Sequence, residues 1–193
     1  MRTLTVWTGA WNLFSSGLFA VALVYLVRGL HLDATTVGWI FAASNVGAVL
    51  GAGFNTRIVA RFGLGPTMAF SGVLSSIAFF GFPLAPQGFP EPVLVAGGVL
   101  GTGLGMLFNV NQLTLRQAIT PRRLMGRMNS VVRFMYWGTI PAGSVLGGGL
   151  AAGIGLRATL LVEAAGATLV TLPIALSRLR KLERLPEPLP ADA

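Results

Sequence analysis

Cysteine is absent from the 193-residue chain, histidine occurs once, and charged residues make up only 10% of it. The first absence excludes disulfides, thiol chemistry and cysteine-based zinc sites, and removes redox state as a guide to compartment. The single histidine, His31, lies between two apolar runs, so neither a histidine metal cluster nor a membrane-buried serine and histidine dyad has its parts. Phosphate loops are missing too: the glycine run at 101–105 lacks the lysine such loops require and sits inside an apolar run. No cofactor and no enzymatic chemistry are expected. The scarcity of charge, against about 25% in soluble domains, points to an integral membrane protein.

What is present agrees with this. The chain is 53% hydrophobic with 26 glycines, and its mean hydropathy is +0.73. A net charge of +8 does not mark nucleic-acid binding, because the charges fall between apolar runs and not along one basic face. Crossing a bilayer takes about 20 apolar residues, and six runs qualify, at 4–27, 37–55, 67–82, 93–115, 128–154 and 158–176. The first is too long for a signal-peptide core and has no convincing cleavage site, so it reads as a transmembrane helix. Residues 1–179 form one six-helix domain in this reading, and 180–193, ending LPEPLPADA, form a disordered cytoplasmic tail.

Basic residues near span ends are retained in the cytoplasm. Arg2, Arg57, Arg61, Arg116, Arg122, Arg123, Arg127, Arg178, Arg180, Lys181 and Arg184 fall on one side, and Arg28 and Arg157 on the other. Both termini are therefore expected in the cytoplasm, in a multi-pass protein of the cell membrane. Glycines four apart, at 47 and 51, at 97, 101 and 105, and at 143 and 147, suit close helix packing. Pro141 inside the fifth run should bend its helix, either as a static kink or as a flexing point. The stretch at 83–92 has four prolines and reads as an extended external connection.

Polar groups inside spans need partners or water, and they are the functional candidates. Asn12 and Asn45 each lie eight residues into a run, about 12 Å deep, with Ser15 and Ser16 on the face of Asn12. Asn109, Gln112 and Arg116 recur at spacings of three and four, with Asn111 alongside. Each group has two readings, a lining of a substrate cavity or an interhelical bond. Arg122, Arg123 and Arg127 belong at the headgroup level. Arg133 either snorkels, stacks on Trp137 at i+4, or meets an anion. Glu163, the carboxylate within a run, is either a proton carrier or a solvated group near the external end.

Together these residues have a family likeness. The stretch NVNQLTLRQAITPRRLMGRMNSVVRFMYWGTIPAGSVLGGGLA at 109–151, with GLRATLL at 155–161, WNLFSSG at 11–17 and ARFGLGPTM at 60–68, resembles major facilitator superfamily transporters. The likeness is to their carboxyl-terminal six-helix half, in the bacterial drug and siderophore exporter branch that includes macrolide efflux proteins and the enterobactin exporter. It implies an all-α membrane fold of two inverted three-helix repeats, with the first, second, fourth and fifth helices around a cavity and the third and sixth outside. It also implies proton-coupled efflux, as an antiporter, of a small molecule by alternating access. Asn12, Asn45, Asn109 and Gln112 are then favoured for the cavity, and Glu163 disfavoured. In the loop after the second helix Arg61 and Gly63 fit the family pattern, whereas Ala60 stands for its acidic residue and Leu64 and Gly65 for its basic pair, which puts charge-relay gating in doubt. A complete member would carry six further spans before Leu4. The chain is thus expected to be a fragment, with pairing to a separate first half or to a second copy as alternatives. A noncatalytic membrane assembly subunit is the competing function.

Overall fold

A computed structural model describes residues 2–176, and these form six long helices without a strand. They are α1 (Arg2–Val24, continued by a wider turn at Tyr25–Gly29), α2 (Ala34–Phe62), α3 (Leu64–Ala78), α4 (Glu91–Ala118), α5 (Met125–Ile154) and α6 (Leu156–Leu176). The tail expected at 180–193 lies outside the described residues. Asp33 starts α2 as an N-cap, its carboxylate accepting from the backbone N–H groups of Thr35 and Thr36 at 3.0 and 3.2 Å. Hydrogen bonds to the ionised form hold this carboxyl below its usual range.

Five segments among the described residues are long and apolar enough to cross a membrane, and α5 is the long helix not among them. Its 30 residues span about 45 Å, so length is not its deficit. Arg127, Arg133 and a high glycine content dilute its hydropathy. Even so it runs beside α1 and contacts α6, within the same bundle.

The packing is close to symmetric under exchange of the first three helices with the last three. The closest pairs are α1 with α5, α2 with α4, α1 with α6, α3 with α4, and α3 with α6. Exchange turns α1–α5 into α4–α2 and α1–α6 into α4–α3, and leaves α3–α6 unchanged. Small residues set the two tightest seams. A methyl group added to Gly47 would strike the Val99 carbonyl and one added to Gly51 the backbone of Gly103; on the other seam Gly143 faces the Leu13 carbonyl, and Gly147 faces Gly17. The rising registers make α2 parallel to α4 and α1 parallel to α5. Because successive helices alternate in direction, the second triplet is inverted relative to the first.

The repeats also share a connection. Gly63 and Gly155 each join a second helix to a third in a single residue. Thr67 and Thr159, four residues on, each fold their hydroxyl back to that glycine's carbonyl, at 2.7 and 2.9 Å. The G-L-x-x-T pattern at 63–67 and 155–159 is thus an internal repeat. Between the triplets, the expected extended stretch is partly helical at Gly81–Leu84, with Pro83 buried. Arg157 Nε donates to the Pro83 carbonyl at 2.8 Å, pinning this connection to the start of α6.

Candidate functional site

Four of the five amides expected at the cavity separate into two kinds. Asn12 is buried, and its Nδ2 donates across to α5, to the Tyr136 carbonyl at 2.7 Å and the Thr139 hydroxyl at 2.8 Å. Both acceptors lie in the turn before Pro141, whose missing N–H would have bonded the Trp137 carbonyl. Asn111 is buried as well and donates to Asn55 Oδ1 on α2 at 2.7 Å and to its own Leu107 carbonyl. These two amides join helices, one in each symmetric seam.

Asn45 and Asn109 behave differently. Both are exposed. Asn45 Nδ2 bonds only the Phe41 carbonyl one turn back, at 2.8 Å, which leaves its carbonyl oxygen and second N–H open. Asn109 makes no hydrogen bond among the described residues. Both amides line one hollow of about 370 Å³ bordered by α1, α2, α3, α4 and α5. A second hollow of about 470 Å³, against α1 and α5, takes in Asn12, Ser15 and Ser16 and shares Trp11, Phe19 and Tyr136 with the first. Among the described residues none of α6 lines either. The third helix was expected outside, yet Ser75 of α3 and Phe79, its C-cap, reach the first hollow.

Aromatic rings shape this wall. Phe79 lies 5.6 Å from Phe19 in an edge-to-face pair and 6.2 Å from Trp11. Ser15 and Ser16 donate to carbonyls of their own helix, the Asn12 carbonyl among them, at 3.2 and 2.6 Å. That is the usual way a buried hydroxyl is satisfied in a helix. Gln112 is buried and borders, with Asn109, only a small recess of about 40 Å³.

Other expectations fare unevenly. Arg133 and Trp137 are both exposed, and no ring contact joins them among the described residues, so the stacking reading is not realised. Arg127 is exposed, as a headgroup anchor would be, while Arg116 is half-buried with an unbonded Nε. Arg61 instead lies over Phe62 at 5.8 Å and, with Gly63, Asn55 and Asn111, borders an open depression of about 780 Å³ between α2, α3 and α4. Glu163 is not solvated: it is 3% exposed. Its carboxyl lies against Gly17 on α1, in space that the missing side chain leaves. Depth along the helix suggested an accessible group; the face it occupies, turned to α1, decides otherwise. Phe19, Phe41 and Phe79 were not foreseen in the site, because aromatic residues in an apolar span look alike until neighbours are known.

The family model for the Major Facilitator Superfamily matches residues 6–193. The chain belongs to this superfamily. The protein described as "Putative metabolite transport protein YwtG", from Bacillus subtilis (strain 168), is 26% identical over 127 residues, covering 66% of this chain. The match takes in 27% of that relative, so the chain spans little more than a quarter of the length it is compared with. No solved structure matches the chain. Membership supports a multi-pass membrane protein, in keeping with the five apolar helices.

Proposed function

We propose that this superfamily member is the carboxyl-terminal half of a carrier that exports a small molecule by alternating access, coupled to protons. The observation that carries transport is the pair Asn45 and Asn109, two amides within apolar helices that keep hydrogen-bonding capacity and border one hollow. Polar groups in a span that serve only packing are expected to be bonded, as Asn12 and Asn111 are. Export and proton coupling rest on the likeness of residues 109–151 to drug and siderophore exporters.

The partner in this reading is a six-helix first half, or a second copy of the chain, in the lipid bilayer of the cell membrane. Supporting it, α2 and α5 expose matching stripes of small residues at identical 4-3-4 spacings: Ala42, Val46, Val49 and Gly53 on one, Gly138, Ala142, Val145 and Gly149 on the other. A Cβ at Gly53, Gly138 or Gly149 would meet nothing. Such stripes suit close helix contact. In this reading both termini face the cytoplasm, and the grouping of the arginine-rich ends of the parallel helices α2 and α4 beside the Asn55–Asn111 bond supports it.

The test is flux of a fluorescent amphipathic dye in proteoliposomes containing the chain, with and without an imposed pH gradient. Loss of flux in Asn45→Ala and Asn109→Ala with intact folding is the expected result. Flux unchanged by both substitutions together overturns the cavity assignment. A well-folded, oligomeric chain that moves nothing favours the assembly-subunit reading.

A further inference from the structure

The wall between α2 and α4 carries information about charge. Six aromatic side chains surround its hollow, Trp11, Phe19, Phe41, Phe79, Phe82 and Tyr136, and among the described residues no Asp, Glu, Lys, Arg or His lines it or the neighbouring hollow. Glu163 sits on the α1–α6 seam, and Arg28, Asp33, Glu91, Arg116, Arg127 and Arg133 line neither space.

From this we infer that the site takes an uncharged, flat aromatic molecule bearing a carboxamide-like donor and acceptor, seated between the rings and bonded by Asn45 and Asn109. This rests on the transport reading and specifies its substrate class. An ion moved into such a wall gives up its hydration without gaining a counter-charge, and two amides do not replace it. Ring faces attract cations, but that attraction, about 0.5–2 kcal/mol, is smaller than the several kcal/mol an ion gives up when it is taken out of water. Stacking and burial of a flat ring need no such compensation. The open Oδ1 and N–H of Asn45, with the unbonded amide of Asn109, offer both donors and acceptors, so a ligand group with both is matched and a bare hydrocarbon leaves them unsatisfied.

Three naphthalene compounds isolate the charge: 2-naphthamide, 2-naphthoate and (2-naphthylmethyl)ammonium. Binding to the purified full chain in nanodiscs is measured by calorimetry. The neutral amide is expected to bind at least tenfold more tightly than either ion, and Asn45→Ala or Asn109→Ala to weaken it about fivefold while helicity and melting are unchanged. Equal or tighter binding of an ion overturns the inference, as does binding of the amide that ignores both substitutions, or no binding of any of the three. Flux of the same compounds in proteoliposomes separates the two readings. Selective binding without flux refutes transport and leaves the ligand class standing; flux that favours an ion refutes the class alone.

Discussion

Gly63 and Gly155 hold the same backbone conformation, with φ 85° and ψ 162° in one and φ 84° and ψ 160° in the other. This region is open essentially to glycine alone, and an L side chain there costs about 1–3 kcal/mol. Each residue turns the chain between two long helices in a single step, so the strain cannot be passed to a neighbouring loop. Gly63→Ala and Gly155→Ala should each lower stability by an amount of that order, read from thermal unfolding in detergent. Gly148→Ala, on an open helix face, is the control and should change little. A tolerated alanine at both 63 and 155 would count against the shared turn.

The glycine seams make a paired prediction. Gly47 and Gly143 sit in corresponding seams, each against a carbonyl of the parallel helix. Alanine at either should push the helices apart and destabilise by about 1–3 kcal/mol, the usual range for overpacking. Gly105 meets nothing within 4 Å, and Gly105→Ala should leave melting unchanged. Unequal losses at 47 and 143 would show that the two repeats do not share the load as their contacts suggest.

Amides at similar depth should respond in opposite ways. Asn12→Ala removes two bonds to α5, and interhelical bonds in membranes contribute about 0.6 kcal/mol each, with a maximum near 1.7. Its effect belongs on stability. Asn45→Ala removes only a bond within its own helix and should alter ligand binding with melting unchanged. Melting curves and calorimetry on both variants decide this, and a stability loss confined to Asn45→Ala reverses the assignment.

That contrast also shows what the sequence discloses. Helix existence and the seams at 47, 51, 143 and 147 follow from apolar runs and from small residues four apart, which are local signals, whereas helix ends run past the apolar core, as at Ala34–Phe62 against the run at 37–55. Asn12 and Asn45 both lie eight residues into a run, and local spacing gives depth but not which neighbour a face meets. The same limit hid the burial of Glu163, whose space is supplied by a glycine on another helix. Arg157 reaching Pro83 depends on chain distant in sequence. The internal repeat, by contrast, was readable in G-L-x-x-T at 63 and 155.

At the start of α2 a pH-dependent effect is expected. Asp33 is fully exposed, and its ionised carboxylate accepts from Thr35, Thr36 and the Thr36 hydroxyl. Its folded pKa lies below the ordinary aspartate value. The cap is therefore fully stabilising above that value and is lost as pH falls through the lower folded pKa. Protection of the Thr35 and Thr36 amides, taken as the intrinsic exchange rate at each pH divided by the observed one, should be high at neutral pH and fall only in strong acid. Asp33→Ala should show low protection at every pH, because no side chain then reaches these N–H groups, whereas Asp33→Asn keeps an uncharged acceptor and its protection should not vary with pH. Protection in the native chain that falls already near pH 6 would mean that another titrating group governs this turn.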